Sequence, residues 1–521
     1  MSRAILKSTS VTGFSTLLSR VTGMGRDTAI NWAIGVGSMS DAFYVAYMIP
    51  NFLRRLFAEG AFSQSFVPVI SEYRLRRSEG EVRELVAGAA GTLGWLLLAL
   101  SIVGVLAAPW IIYLYAAGFG AAGDDRYTYA VQLLRWTFPY VLFISLTSLY
   151  SGVLNSYQRF ALPAFTQVIQ NLVLIGAAIV VSVYTHSPLA LAIGVFVSGV
   201  LQVLALLPSV AGIHLLAWPR WRPAAEGVRR IMKLMVPGII GSSMAQLSLL
   251  INTGIASLLI TGSISWLYLA DRIMEFPLGV FSIALGTVIL PRLSAHHAQA
   301  EGTQFSATLD WALRLTVLLV APAMVGMLVF AEPMVAAIFG FKKMTLRDVE
   351  MTSYALMAFS WGLMTFSLIK VLAPGYFARQ NTRAPVRFAM TGLVVSMAVN
   401  VAVVLPAAKL GFFAPHILLA TSTCTSALVN CVLLWHGLRR DGVFRPSPKW
   451  RALLPQVLVA CLVMAALLWW LAGDVAAWLA MPQWRRLVKC LAGIALAAIV
   501  YFAVLFALGF RTRDLHVDEH A

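Results

Sequence analysis

About fourteen stretches of this chain hold 20 or more consecutive, mostly apolar residues, and this constrains the fold more than any other feature. A spanning helix needs roughly 20 apolar residues to cross the ~30 Å hydrocarbon layer. The stretches fall near 9–35, 41–70, 84–116, 128–156, 162–184, 189–217, 229–260, 264–290, 308–339, 350–377, 385–405, 411–437, 450–473 and 486–510. Composition agrees: of 521 residues, 60% are hydrophobic and only 12% charged, and the mean hydropathy is +0.81. Soluble domains run closer to half apolar and a quarter charged. The expected fold is therefore an all-α polytopic membrane protein, with no stretch polar and long enough for a soluble domain.

The net charge of +17 could suggest nucleic acid. The basic residues, however, are scattered over short loops and form no basic domain or tail, so nucleic-acid binding is not expected. Their placement reads as topology. With the N-terminus inside, the inside loops hold Arg74, Arg76, Arg77 and Arg83, then Arg159, then Arg220, Arg222, Arg229 and Arg230. Later inside loops hold Arg292, then Arg379, Arg383 and Arg387, and finally Arg439, Arg440, Arg445, Lys449 and Arg451. Outside connections carry few cations, apart from Lys342, Lys343, Arg347, Lys409 and the pair Arg485-Arg486. The positive-inside rule then places both termini in the cytoplasm. The four cysteines lie inside apolar spans with no CxxC spacing, and the histidines lack metal-ligand spacing, so neither a disulfide framework nor a metal site is expected. No Walker loop is present, and no signal-peptide cleavage site precedes the first charged span.

The chain repeats itself. FVPVISEYR and VILPRLSAH align at Pro68 and Pro291 (291 − 68 = 223), and LAAPWIIYLYAAGF and VFAEPMVAAIFGF align at Pro109 and Pro333 (333 − 109 = 224). LNSYQRFALPAF and GYFARQNTRAPVRF align at Pro163 and Pro385 (385 − 163 = 222). Three matches in one order at one offset indicate a duplication across six spans. An even number of spans inserts both halves in the same direction, related by an axis along the membrane normal. The expected division is 1–217 for the first six spans, 218–438 for the next six, and 439–521 for two appended helices.

Charges in hydrocarbon cost at least a few kcal/mol and persist where they face water, a partner or a ligand. Span one carries Arg20 and Arg26 around Gly23 and Gly25, with Asp27 beside Arg26 as a potential local ion pair. Span two begins at Asp41 and continues to Arg54, Arg55 and Glu59. Arg55 and Glu59, four apart, can pair on one helical face, which leaves Arg54 about 100° around the helix. Span eight carries Asp271, Arg272 and Glu275 before Pro277, and Lys370 closes the apolar run of span ten. Arginines outnumber acids in the first two spans, which points to a cavity for something anionic. A self-neutralised network of ion pairs between helices is the plainer alternative, and snorkelling is the plainer one for Lys370.

The segments SRVTGMGRD (19–27), DAFYVAYMIPNFLRRLFAEGAFSQSFVPV (41–69), ADRIMEFPLGVFSIALGTVILP (270–291) and KVLAPGYFARQ (370–380) resemble the MurJ (formerly MviN) family of bacterial lipid II flippases over essentially the whole chain. The resemblance implies the multidrug/oligosaccharidyl-lipid/polysaccharide exporter fold, with two six-helix lobes about a cavity and a lipid-tail groove on the last two helices. It implies a transporter rather than an enzyme, with no catalytic residues. The cargo would be lipid II, the undecaprenyl-diphosphate-linked peptidoglycan precursor used in cell-wall synthesis. By the same resemblance, Arg20, Arg26, Arg54 and Arg272 would hold the diphosphate, and Asp41 and Glu59 match acids tied to transport. Ser19, Arg55, Asp271, Glu275 and Lys370 are further candidates for coupling or gating. The family setting is the bacterial inner membrane, with membrane lipids and the cell-wall synthesis machinery as partners, a monomeric chain, and no cofactor beyond a membrane potential or ion gradient. The alternatives are a flippase for another polyprenyl-linked oligosaccharide, or a drug/cation antiporter of the same superfamily. The antiporter would show unpaired acids dominating its cavity. A glycosyltransferase would need a catalytic carboxylate in an accessible loop beside a sizeable soluble domain.

Overall fold

Within a bilayer core the backbone finds no water, so each spanning segment must satisfy its own N–H and C=O groups, and a helix does so locally. The computed structural model describes residues 3–56, 63–121, 125–299 and 302–511, and every regular element among them is a helix. In chain order these are α1 (Arg3–Ile34), α2 (Ser38–Arg54), α3 (Ser63–Arg76), α4 (Glu79–Leu106), α5 (Ala108–Tyr115), α6 (Gly118–Ala121) and α7 (Arg126–Thr137). There follow α8 (Tyr140–Ser156), α9 (Ala161–Val180), α10 (Leu189–Ala211), α11 (Glu226–Ser257), α12 (Ser263–Ala298), α13 (Gly302–Val329) and α14 (Ala331–Phe339). The chain closes with α15 (Leu346–Phe377), α16 (Arg383–Val399), α17 (Leu405–Lys409), α18 (Pro415–Arg440), α19 (Trp450–Ala472), α20 (Val475–Ala480) and α21 (Gln483–Ala507). The chain packs as two compact units, Met1–Ser265 and Trp266–Ala521.

Among the described residues, ten helices are long and apolar enough to cross a membrane. Helices α1 and α11 correspond in the two repeats, as do α2–α3 and α12; Arg20 and Arg26 lie on α1, Arg54 on α2 and Arg272 on α12.

Helix ends recur at the offset of the sequence duplication. Helices α1 and α11 end at Ile34 and Ser257, 223 apart (257 − 34 = 223). Helices α4 and α13 end at Leu106 and Val329, 223 apart (329 − 106 = 223). The connection into α9 and that into α16 share an unusual backbone: Gln158 has φ 61° and Gln380 φ 58°, at 380 − 158 = 222. A non-glycine residue at positive φ is uncommon, and two at matched positions indicate a common loop design. The hydrogen bonds match as well, with Arg159 N donating to Leu154 O (2.9 Å) and Asn381 N to Tyr376 O (3.1 Å). Each of the two following helices then ends in a π turn, Val181–Thr185 and Asn400–Val404.

In the first unit, Phe66, Val86, Leu149, Leu154 and Val210 anchor a buried core shared by α3, α4, α8 and α10. In the second, Leu309, Leu313, Leu372 and Leu438 do the same for α13, α15 and α18. Helices α19 and α21 are tied onto this second unit. Tyr501 Oη donates to Leu318 O (2.9 Å), and Gln483 Nε2 to Ala337 O (2.5 Å). The buried Arg486 donates from Nη1 to Ala336 O (3.2 Å), at the carbonyl end of α14. A cation suits that negative helix end. Arg486 therefore departs from the positive-inside pattern because it is a helix-end partner. The lipid-facing sides of α19 and α21 expose Leu462, Trp469, Trp470, Leu491 and Ile499.

Candidate functional site

The first-unit arginines do not share one environment. On α1, Arg26 is 6% exposed and Asp27 1%. Its Nε and Nη2 grip the Asp27 carboxylate at 2.8 and 2.9 Å, while Nη1 donates to Asn171 Oδ1 on α9 at 3.1 Å. Asn171 Nδ2 in turn donates to Ser19 O (3.0 Å) and Thr22 Oγ1 (2.9 Å). The guanidinium is thus charge-balanced and locked between two helices. Sequence reading did not single out Asn171; its one signal was the group of amides Gln167, Gln170 and Asn171 in the apolar run of α9. Replacing it, Asn171→Leu, is expected to destabilise by about 1–3 kcal/mol, because Arg26 and Thr22 lose a buried partner. The check is the melting temperature of the purified protein in detergent.

Ser19 and Arg20, both about two turns before Arg26, are half-buried. Arg54, also half-buried, closes α2 and donates from Nε to Asn51 Oδ1 at 2.8 Å. This bond from the neck of the guanidinium helps to orient it while the side chain stays partly accessible. Arg55 caps α2, its backbone N–H turned to Asn51 O and Phe52 O. Glu59, and with it the Arg55–Glu59 pair, lies outside the described residues.

Asp41 sits at the opposite end of α2 from Arg54, about 20 Å away at ~1.5 Å rise per residue, and is 1% exposed. Its Oδ2 accepts the Gly262 N–H (2.7 Å), and its Oδ1 accepts both the N–H (2.9 Å) and the hydroxyl (2.6 Å) of Ser265. The hydroxyls of Ser265 and Ser40 are 2.8 Å apart. Helix α12 begins at Ser263, directly after Gly262. The first turn of a helix has N–H groups without intrahelical partners, and an Asn, Asp or Ser just before it normally accepts one. Glycine has no side chain to do so. Asp41, 221 residues earlier, supplies the missing carboxylate, and its charge suits the positive helix end. Asp41 and Ser265 also correspond in the duplication (265 − 41 = 224).

In the second unit, α12 carries Asp271, Arg272 and Glu275, all half-buried. Arg272 Nη1 meets Glu275 Oε2 at 2.6 Å, and the guanidinium lies over the Tyr268 ring, 4.8 Å from its centroid. The side chains of Arg272 and Glu275 are 19% and 35% exposed. The cation is therefore oriented but still accessible. Lys370, on α15, is exposed. Among the described residues no three His, Cys, Asp or Glu side chains gather to hold a metal ion.

A family model described as "Lipid II flippase MurJ" matches residues 30–488. The chain is 40% identical to the probable lipid II flippase MurJ of Vibrio cholerae serotype O1, across 99% of this chain and 98% of the relative. It is 42% identical to the lipid II flippase MurJ of Burkholderia cenocepacia, across 98% of each. Among solved structures, a lipid II flippase MurJ in an inward closed conformation superposes with a TM-score of 0.78 at 24% identity, covering 95% of this chain and 98% of that one. An inward-facing multidrug resistance transporter of the MATE family, in the MOP superfamily, superposes with a TM-score of 0.64 at 13% identity, covering 85% of this chain. The last two show a shared fold.

Proposed function

The chain belongs to the lipid II flippase MurJ family, and from that premise we propose that it carries lipid II from the cytoplasmic to the periplasmic leaflet of the bacterial inner membrane. It is a multi-pass membrane protein and a transporter rather than an enzyme. Both termini are cytoplasmic, a reading supported by the cation-rich loops on that side.

The site works through its arginines. Lipid II presents a diphosphate, and arginine matches phosphate oxygens with two parallel N–H donors while keeping its charge when water is excluded. Arg20, Arg54 and Arg272 keep accessible surface and serve as the diphosphate contacts. Arg26, locked on Asp27 and Asn171, is a positioning residue that sets the course of α1 beside Ser19 and Arg20. Asp41 clamps the start of α12 and so acts by positioning that helix, not on the cargo. The sugar–peptide head crosses in water while the polyprenyl tail stays in lipid, with access alternating between the two sides. No cofactor enters; a membrane potential or ion gradient resets the cycle.

The observation that carries this reading is Arg272, a half-buried cation held in orientation by Glu275 and Tyr268 on α12 of a chain matched by the flippase family along nearly its whole length. Purified protein in liposomes bearing lipid II in one leaflet should move it to the other. Lipid II that remains on its starting side, under both an imposed potential and an imposed ion gradient, would refute the assignment.

A further inference from the structure

Behind the second unit's cytoplasm-assigned helix ends lies a cavity of about 780 Å³ that the translocation reading does not use. It opens between the end of α12, the start of α13, Arg379 after α15, and the 442–448 segment after α18. Its charged and titratable lining is unequal: Arg314, Arg379, Arg445, His296 and His297 against a single acid, Asp310.

That acid is already engaged. Asp310 Oδ2 accepts from Arg314 Nε (2.8 Å), and Oδ1 from Ser447 N (3.1 Å) and Trp450 Nε1 (2.7 Å). Asp310 and Arg314 are both buried and cancel each other. Arg379 is bound to Asp441 at 3.0 Å. Arg445 differs. Its backbone N–H and C=O are fixed on Ser306 Oγ at 2.9 and 3.4 Å, while its exposed guanidinium has no protein partner among the described residues. The excess charge of the lining is therefore that of Arg445, and His296 and His297 line the same cavity.

The duplication shows how the space arises. Position 87 in α4 corresponds to 310 in α13 (310 − 87 = 223). In the first unit the segment after α10 lies directly on α4, with Arg220 N donating to Ala87 O at 3.0 Å. A side chain on Gly91 would overlap the Arg220 carbonyl, so no gap remains there. In the second unit the equivalent segment is held off α13 by the side chains of Asp310 and Ser306 instead of by the helix backbone. A spacer carboxylate and a serine replace a direct backbone contact, and a basic cavity opens behind them.

We propose that this cavity binds an organic phosphate: Arg445 and the His296-His297 pair take the phosphate, and the apolar walls, Phe305, Val443 and Pro446, take the carbon skeleton attached to it. The volume suits a headgroup-sized ligand better than a bare ion, and basic pockets among helix ends on the cytoplasmic side are suited to anionic headgroups. The ligand is either an acidic phospholipid headgroup or a soluble phosphate ester.

Full-length protein in detergent separates the two sources, and binding read there is independent of whether lipid II is moved. Short-chain phosphatidylglycerol and glycerol phosphate serve as probes, titrated by native mass spectrometry. Arg445→Gln is expected to weaken the bound probe about tenfold, the scale of one charge-assisted hydrogen bond, and His297→Gln should act in the same direction. Arg439→Gln, on the same side but outside the cavity lining, should change binding less than twofold. Variant-sensitive binding of the lipid alone supports a headgroup site, and variant-sensitive binding of glycerol phosphate supports a soluble ester. No binding of either probe, or equal loss in Arg445→Gln and Arg439→Gln, overturns the proposal. Unchanged melting temperatures exclude misfolding as the cause.

Discussion

Arg272→Ala is expected to abolish lipid II transfer between leaflets while leaving membrane insertion and yield unchanged. The reason lies in what remains. Arg272 and Glu275 form a 2.6 Å pair whose carboxylate is 35% exposed, so deleting the cation removes an oriented donor. The local charge becomes one unit more negative where a diphosphate is to dock. Each charge-assisted hydrogen bond contributes about 1.5–3 kcal/mol, and losing two while adding repulsion removes several orders of magnitude in occupancy. Arg272→Lys keeps the charge but not the planar fork, and should retain partial transfer with weaker cargo binding. Arg54→Ala should behave like Arg272→Ala, since Arg54 is likewise oriented by a neighbouring side chain and partly accessible. The measurement is leaflet-resolved lipid II in liposomes with purified variants; normal transfer by both alanine variants would remove the arginines from the mechanism.

Arg26 marks the limit of what its sequence position could reveal. From the sequence it was one of four equivalent intramembrane arginines. The neighbouring Asp27 did suggest a local pair, and the structure contains it, at 2.8 and 2.9 Å. The third contact, Asn171, is 145 residues away, and nothing local to either residue encodes that distance. The same asymmetry runs through the fold. All-helical architecture is legible because hydrocarbon forces every backbone group to be satisfied within its own segment. The duplication is legible because prolines mark recurring backbone geometry, at the first turns of α5, α9, α14 and α16. Pro68 and Pro291 differ, since both lie inside helices. The 33-residue apolar run 84–116 was legible as one span, yet at ~1.5 Å per residue it is about 50 Å long, well beyond the hydrocarbon layer. It divides at Ala107 into α4 and α5, and its counterpart 308–339 divides at Phe330 into α13 and α14. What stayed hidden were contacts chosen in three dimensions, above all the partner of Asp41.

Asp41→Ala is expected to be the most destabilising single substitution among the candidate residues, by about 3–6 kcal/mol. Asp41 is 1% exposed and accepts three hydrogen bonds from Gly262 and Ser265. Alanine would leave two backbone N–H groups buried without their acceptor, at about 1–3 kcal/mol each, and would leave the Ser265 hydroxyl to Ser40. Gly262 has no side chain to take over, and water has no access at that burial. Asp41→Asn keeps one carbonyl oxygen and the shape, but its amide N–H₂ must then point at a donor. It should lose roughly half as much. Ser265→Ala removes the hydroxyl and leaves both backbone bonds to the carboxylate, so about 1 kcal/mol is expected. The order Asp41→Ala, Asp41→Asn, Ser265→Ala in falling melting-temperature loss is what a helix-start clamp requires, and all three should lower lipid II transfer in that order once equal amounts of folded protein are compared. If Asp41→Asn instead melts like the parent but stops transfer, the carboxylate acts through its charge or its proton, and the clamp is not its role.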